Sequence, residues 1–157
     1  MSTGSASHDD VLLFGVPKKG RLYEKCEKLL NGTGLRFRRK ARLDIAMCKD
    51  VPVKLVFLPA KDIASFVSEG IVDLGITGQD MVAEYGGEVD TLGELGFGGC
   101  RRALQTPKAD EVTDPKALAG KRVSTSFPVL AKTYFEKLFN GNAKKMPTIK
   151  VISGSVE

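Results

Sequence analysis

Short apolar runs alternate with segments of helical spacing along most of this chain. Runs of apolar and β-branched residues are typical of buried strands, and apolar residues that recur every three or four positions are typical of amphipathic helices. In chain order, the first pattern predicts strands at 11–16, 43–48, 53–58, 73–76, 101–106, 121–124 and 149–152. The second pattern predicts helices at 21–30, 60–68, 79–85 and 129–139.

Strands that alternate with helices at this spacing predict βα units and a mostly parallel sheet. The composition changes near the glycine pair at 86–87, where a first lobe can end. We therefore predict an α/β protein with two βα lobes around a cleft. The first lobe covers residues 11–92, the second covers 93–157, and a disordered leader covers 1–10.

The segment at 69–80, EGIVDLGITGQD, carries the most information about function. Its apolar run stops at Thr77-Gly78, and a helical segment follows. Backbone N–H groups at a helix start are unpaired and partly positive, so they suit a phosphate or a carboxylate. Ligands of open α/β sheets lie outside the carboxyl ends of the strands. An ordinary strand–turn–helix without a ligand explains the segment equally well.

Composition favours a soluble, cytoplasmic protein that acts on small anions. Hydrophobic residues make up 42% and charged residues 27% of the 157 residues, and neither a membrane span nor a signal peptide is recognisable. The net charge is +5, with the densest basic cluster, RFRRKAR, at 36–42. Because the chain has no Trp and only 7% aromatic residues, we favour phosphorylated small molecules over nucleic acid.

The cysteines and the histidine narrow the chemistry further. Cys26, Cys48 and Cys100 are far apart and form no CxxC pair, so neither a zinc site nor a disulfide framework is indicated. Cys100 is interpreted as a small packing residue. The only histidine, His8, lies in the leader. Catalysis must therefore use carboxylates, Lys or Arg, backbone donors, or Mg²⁺ carried by a ligand.

Several turns contain candidate phosphate-binding residues. Lys18-Lys19-Gly20-Arg21 follows a predicted strand and begins a helix, where cations oppose the helix dipole, so we favour phosphate binding over a solubilising turn. Arg42 stands two residues before Asp44 and fits either a phosphate clamp or a surface ion pair.

The remaining turns are further along the chain. Thr125-Ser126 fits either a second anion site or a plain N-cap before Pro128. The glycine pair at 98–99 permits close approach of a ligand or a bulge, and SGSVE at 153–157 presents hydroxyls and a carboxylate or forms a simple turn.

Taken in order, these motifs resemble one family. PKKGRL, RLDIA, EGIVDLGITGQD, FGGCR, GKRVSTS and SGSVE are similar to the ATP phosphoribosyltransferase of histidine biosynthesis, and closest to its fungal form. The resemblance covers roughly residues 11–157, and VDLGITG and GSVE are its most distinctive parts.

The resemblance implies a fold like that of the type II periplasmic binding proteins, with two lobes around a cleft. It also implies a reaction that joins N1 of the ATP adenine to C1 of phosphoribosyl pyrophosphate (PRPP) and releases diphosphate, the first step of the pathway. The implied partners are ATP or AMP and PRPP, with Mg²⁺ carried on the substrate. No nucleic acid or membrane is implied.

The resemblance also suggests residue roles. Arg21 and Arg42 correspond to catalytic, phosphate-facing arginines, with Arg21 stabilising the leaving group. The residues expected to bind substrate, from the motifs and the resemblance together, are Lys18, Lys19, Gly20, Asp73, Thr77, Gly78, Gly98, Gly99, Arg101, Thr125, Ser126 and Glu157. Among them, 73, 77 and 78 would line the first lobe, 98, 99 and 101 the adenine site, 125 and 126 the second lobe, and 157 the ribose site.

One departure from the family concerns the end of the chain. Residue 157 falls where a helix should begin, and the family's PRPP loop lies beyond GSVE. We therefore expect the chain to be the amino-terminal, incomplete portion of a longer protein, inactive or nearly so alone. The resemblance implies dimers that assemble into hexamers for the full-length form.

Three alternatives remain open. They are a solute-binding module, for which the secretion signal is missing, a non-catalytic fragment that binds ATP or AMP, and a nucleic-acid binder that uses 36–42.

Overall fold

The computed structural model describes residues 11–40 and 43–152. The predicted leader at 1–10 lies outside the described residues. Contacts divide the chain into two units between Gly99 and Cys100. The predicted lobe limits stay a prediction, and each unit is described by itself.

The first unit is a four-stranded sheet with helices between its strands. In chain order its elements are β1 (Leu12–Pro17), α1 (Gly20–Gly32), β2 (Ile45–Met47), β3 (Val53–Leu58), α2 (Ile63–Ser68), β4 (Leu74–Gly75) and α3 (Gln79–Tyr85). The strand order is β2-β3-β1-β4. Strand β1 is parallel to β3 and β4, and β2 is antiparallel to β3. The carboxyl ends of the three parallel strands therefore lie at one edge of the sheet.

The core of this unit forms between α1 and one face of the sheet. Leu55 and Phe57 of β3 are 0% and 1% exposed, so this face excludes water completely. Cys26 and Leu30 of α1 are buried against it, and Leu22 and Leu29 are partly buried beside them. These four residues are the stripe that a helical period of 3.6 places on one face, and their burial drives the packing of α1.

Helix α2 begins later than predicted and packs unusually close to the sheet. It starts at Ile63 rather than at residue 60, because the Asp62 N–H donates to the Pro59 carbonyl in a turn. A Cβ added at Gly75 would lie 2.5 Å from the Cγ2 atom of Ile63. Glycine is therefore needed at this position in β4, because α2 and the strand approach each other too closely for a larger residue.

The second unit contains a two-stranded parallel sheet. Its elements are β5 (Arg122–Thr125), α4 (Pro128–Leu138) and β6 (Thr148–Val151), with short 3₁₀ helices at Lys108–Asp110, Pro115–Leu118 and Ala143–Lys145. Phe135 of α4 is fully buried, and its ring stacks on Phe139 with centroids 6.2 Å apart.

Two expectations for this unit are corrected. Residues 101–106 form no strand, because their side chains are mostly exposed and no neighbouring strand in the described residues pairs with them. The N-cap of α4 is Phe127, not Thr125 or Ser126. Thr125 is the last residue of β5, and its hydroxyl accepts the Phe127 N–H at 3.0 Å. Pro128 lies in the first turn, as predicted.

The burial of the cysteines differs from one residue to the next. Cys26 and Cys48 are buried, whereas Cys100 is exposed, which corrects its interpretation as a packing residue. Burial raises the pKa of the Cys26 thiol to about 11 and also raises the pKa of Cys48. The contribution of the neutral Cys26 thiol to stability is therefore complete below its ordinary pKa of 9 and is lost as the pH rises towards about 11.

We expect a thiol reagent at pH 8 to modify Cys100 rapidly in the native chain and to leave Cys26 and Cys48 unmodified. Only an accessible thiolate reacts, and burial removes both accessibility and the thiolate form. In denaturant all three thiols should react. Mass spectrometry of the labelled peptides gives the comparison, and equal native labelling rates at the three positions would contradict this burial pattern.

Within the described ranges 11–40 and 43–152, no helix has the length and apolar character needed to cross a membrane.

Candidate anion site at the carboxyl edge of the sheet

The turn between β1 and α1 leaves helix amides without side-chain partners. The Lys18 N–H donates to the Leu58 carbonyl at 2.8 Å, which extends the ladder between β1 and β3. Gly20 then begins α1 with a φ of 82°, a left-handed conformation that favours glycine. No side chain caps α1, and its first turn contains no acidic residue. The first N–H groups of this helix are therefore suited to an external anion.

The cations at this turn differ in their availability. Lys18 Nζ lies 3.2 Å from the Asp44 carboxylate, so this ammonium is already paired. Lys19 and Arg21 are exposed, and no ion pair involves either of them within the part of the chain that the structure describes. Among the cations predicted at this turn, Lys19 and Arg21 are the two available to a ligand.

The turn between β4 and α3 lies at the same edge. The Thr77 hydroxyl donates to the Ala60 carbonyl at 2.7 Å, which ties this turn to the segment that follows β3. Gly78 is the N-cap of α3. Asp80 accepts the Met81 N–H at 2.9 Å, and its carboxylate lies against Gly78. Because an acidic residue in the first turn complements the helix dipole, this helix start already holds an anion of its own.

Asp73 lies at the opposite edge of the sheet. Its carboxylate accepts the Leu13 N–H at 2.7 Å, and its own N–H donates to the Leu13 carbonyl at 2.9 Å. Phe14 of β1 pairs with Leu74, the next residue, so Asp73 lies at the amino-terminal end of β4. The structure does not bring Asp73 together with Thr77 and Gly78, and the contacts of its carboxylate serve the strand pairing.

The glycine pair at 98–99 ends the first unit. Gly98 has a φ of 78°, and a Cβ added there would lie 3.5 Å from Leu22 in the first turns of α1. Phe97 packs against the core beside it, and Lys25 Nζ lies 5.9 Å from the Phe97 ring centroid. Gly98 is therefore beside the helix that the β1–α1 turn begins. Gly99 faces open space.

The remaining predicted residues belong to the second unit or lie outside the described residues. Thr125, Ser126 and Arg101 belong to the second unit, where Ser126 and Arg101 are exposed. Arg102, which the sequence analysis did not single out, lies with its guanidinium carbon 3.4 Å from the Phe127 ring centroid. Arg42 and Glu157 lie outside the described residues.

Arg39 is the residue at this edge that the sequence analysis missed. Its guanidinium carbon lies 4.1 Å from the Phe57 ring centroid and 5.6 Å from that of Tyr23. It was hidden in the basic run 36–42, in which Arg36 also pairs with a carboxylate, that of Asp50, at 2.8 Å. The available signal in the sequence was a period-two alternation, in which Leu35 and Phe37 are apolar and Arg36 lies between them. This alternation places residue 39 on the same face, and the structure shows residues 35, 37 and 39 partly buried.

Tyr23 and Arg39 line an open cleft of about 430 Å³ between α1 and the segment 37–40. The Tyr23 hydroxyl donates to Glu27 at 2.8 Å. Burial raises the pKa of Tyr23, and the Glu27 carboxylate raises it further, while Arg39 opposes both effects. The phenol therefore remains a neutral hydrogen-bond donor at physiological pH.

Metal coordination by the protein has no candidate in residues 11–40 and 43–152. No group of three or more His, Cys, Asp and Glu side chains there is arranged to hold an ion. Any divalent cation at the candidate anion site would need most of its ligands from a bound phosphate and from water.

Known proteins match nearly the whole chain. The chain is 52% identical over 156 residues to the ATP phosphoribosyltransferase of Candida glabrata, an alignment that covers 95% of this chain and 51% of that protein. It is 51% identical over 149 residues to the Saccharomyces cerevisiae protein of the same name, with 94% and 50% covered. The chain thus spans about half the length of the curated relatives it matches.

A solved structure shares the fold. A chain from the ATP phosphoribosyl transferase (HisG:HisZ) complex of Thermotoga maritima superposes with a TM-score of 0.65 and 23% identity, covering 93% of this chain and 66% of that chain. This likeness confirms the predicted α/β class. Residues 59–157 also match the family model described as HisG: ATP phosphoribosyltransferase. The chain therefore belongs to the ATP phosphoribosyltransferase family.

Proposed function

We propose that this chain supplies the diphosphate-binding part of an ATP phosphoribosyltransferase. The reaction joins N1 of the ATP adenine to C1 of PRPP. The bond between C1 and the diphosphate oxygen breaks, and its electron pair leaves with the diphosphate. Family membership supports the reaction, and the β1–α1 turn supports the part that this chain plays in it.

One observation carries the proposal. Lys19 and Arg21 flank the left-handed Gly20 at the start of a helix without a side-chain cap, at the carboxyl edge of a parallel sheet. Phosphate is the ligand that such a helix start binds best, since its N–H groups and dipole both favour negative charge.

The β1–α1 turn supplies the cations and N–H donors that this reaction requires. Displacement at C1 builds negative charge on the leaving diphosphate, so cations and N–H groups aimed at it lower the barrier. The planar guanidinium of Arg21 can hold two phosphate oxygens at once, and Lys19 adds a mobile positive charge. Mg²⁺ would be carried on the phosphate oxygens. No imidazole is required.

The other assignments belong to the same proposal. We assign Gly98, Gly99 and Arg101 to the adenine nucleotide, ATP or AMP. Thr77 and Gly78 would line the first lobe's side of the cleft, and Thr125 and Ser126 would act from the second lobe. Asp73 would contribute to the first lobe through its bond to β1. Arg42 would be a second phosphate-facing arginine, and Glu157 would act at the ribose.

The proposal also covers the arrangement of the lobes, the location of the protein and its assembly. We infer a type II periplasmic-binding-protein-like arrangement of two lobes around a cleft, a cytoplasmic location, and a full-length form that assembles through dimers into hexamers. The likeness to a chain from a solved complex supports the fold on which these inferences depend.

A hybrid enzyme tests the proposed function. This chain replaces the matching half of the Saccharomyces cerevisiae relative, to which it is 51% identical. We expect the folded hybrid to convert ATP and PRPP into phosphoribosyl-ATP and diphosphate, and the 157-residue chain alone to show little or no turnover. A hybrid with a cooperative thermal transition and no product would contradict the proposal.

A further inference from the structure

The guanidinium of Arg39 donates three hydrogen bonds to the protein. Its Nε donates to the Leu43 carbonyl at 3.1 Å, one terminal nitrogen donates to the Lys18 carbonyl at 2.9 Å, and the other donates to the Asp44 carboxylate at 3.3 Å. Its side chain is 24% exposed, whereas that of Arg36 in its pair with Asp50 is 71% exposed. The Arg39 side chain is therefore less accessible to water than that of Arg36, and its bond to the Lys18 carbonyl is partly buried.

The aromatic surface beneath Arg39 fixes the position of its guanidinium. Phe57 is 1% exposed and belongs to β3, so its ring cannot move away. A guanidinium that stacks 4.1 Å from this ring gains a cation–π attraction and leaves its edge free to donate hydrogen bonds. A lysine at this position has one nitrogen and cannot reproduce three bonds that point in different directions from one plane.

These bonds join two segments at the carboxyl edge of the sheet. The Lys18 carbonyl belongs to the chain leaving β1, and Leu43 and Asp44 belong to the chain entering β2. The Lys18 N–H is also held, by the Leu58 carbonyl of β3. The peptide groups on both sides of Lys18 are therefore fixed immediately before the β1–α1 turn begins.

The bond to the Lys18 carbonyl has a direct electronic consequence. That carbonyl shares one peptide group with the Lys19 N–H, and no hydrogen bond from this N–H is found in the described part of the chain. A cation that donates to a carbonyl polarises the peptide and makes its N–H a stronger donor. Arg39 thus orients and strengthens an amide at the candidate anion site without facing the ligand itself.

We propose that Arg39 is a positioning residue, which holds the Lys18–Lys19 peptide so that the β1–α1 turn binds the diphosphate group. This inference rests on the proposed function, because it concerns the same anion. All three guanidinium nitrogens donate to protein acceptors, which distinguishes Arg39 from Arg21, whose side chain is exposed. Asp44 pairs with both Lys18 and Arg39, so its single negative charge offsets one of these two positive charges.

The test compares Arg39→Lys with Arg38→Lys in the 157-residue chain. Arg38 is the exposed neighbour in the sequence, so the two variants make the same chemical change in different surroundings. In the ligand-free protein, the ¹⁵N resonance of the Lys19 amide should shift in Arg39→Lys and remain unchanged in Arg38→Lys. Affinity for inorganic diphosphate with Mg²⁺, measured by calorimetry, should fall about tenfold in Arg39→Lys only, because the Lys19 amide would lose one charge-assisted bond to the diphosphate.

The outcomes separate this inference from the proposed function. An unchanged Lys19 resonance in Arg39→Lys would overturn the positioning role, even if affinity fell, because that pattern indicates direct contact with the ligand. A shifted Lys19 resonance in Arg39→Lys, together with a wild-type chain that binds no diphosphate, would leave Arg39 holding the turn and would overturn the proposed anion site. If Arg39→Lys does not fold, Asp44→Asn weakens one of the same bonds and should shift the same resonance by less. No shift in that folded variant would also overturn the inference.

Discussion

Replacing Phe57 with alanine should lower the free energy of unfolding by about 3–5 kcal/mol, the usual cost of removing a large buried aromatic side chain. The ring is 1% exposed in the centre of the first unit's core. It contacts Tyr23 and Phe37, each with a centroid distance of 6.1 Å. The neighbours cannot close the cavity, because β3 is held by strands on both sides.

The disturbance caused by Phe57→Ala should extend to the carboxyl edge of the sheet, because Phe57 also supports the Arg39 guanidinium. Chemical denaturation of the wild type and of Phe57→Ala measures the change. Leu92→Ala is the control, since Leu92 is 81% exposed and its truncation should change the free energy of unfolding by less than about 0.5 kcal/mol. Equal effects of the two substitutions would contradict the assignment of Phe57 to the core.

The elements of the fold with a clear period were predictable. Strands β1 and β3 are apolar runs, interrupted in β3 only by Lys54, and α1 carries a stripe at Leu22, Cys26, Leu29 and Leu30, so burial dictates their structure. The run at 101–106 shows this pattern only weakly, because Ala103 and Leu104 are its only apolar residues. A strand also needs a partner for its backbone groups, and single-chain periodicity does not reveal whether one will be present.

The turns that form the candidate site were predictable from the sequence, but the contacts of their side chains were not. Glycine at position 20 and the cations beside it indicated an anion site, and the structure gives that glycine a left-handed φ. The ion pair between Lys18 and Asp44 depends on side-chain packing across elements, whereas the bond from the Met81 N–H to Asp80 is local to the start of α3. Asp73 lay four residues from Thr77 in one motif, yet strand geometry sends the two to opposite edges of the sheet.

Arg21→Ala should have the largest effect on catalysis. In the hybrid enzyme it should lower the turnover of ATP and PRPP on the order of 100-fold, the usual cost of losing one donor aimed at developing negative charge. Arg21 is exposed in the first turn of α1 and no protein carboxylate in the described ranges pairs with it, so its removal should not disturb the fold. Steady-state turnover rates of the hybrid enzyme with and without Arg21→Ala, at saturating ATP and PRPP, measure this loss.

Lys28→Ala is the matched control for this substitution. Lys28 is exposed on the same helix and carries the same charge, but it lies two turns away from the β1–α1 turn. Its removal should leave the turnover within about twofold of the parent, because surface charges at that distance are largely screened. Similar losses in the two variants would indicate a general effect of charge rather than a bond from Arg21.

Diphosphate affinity of the isolated 157-residue chain tests most directly whether the β1–α1 turn recognises the leaving group. Calorimetric titration with inorganic diphosphate and Mg²⁺ should show one site in the wild type and in Lys28→Ala. In Arg21→Ala the affinity should be about 10- to 100-fold weaker, as expected for a charge-assisted hydrogen bond. A folded chain that binds no diphosphate, or that binds it equally well with and without Arg21, would contradict the account.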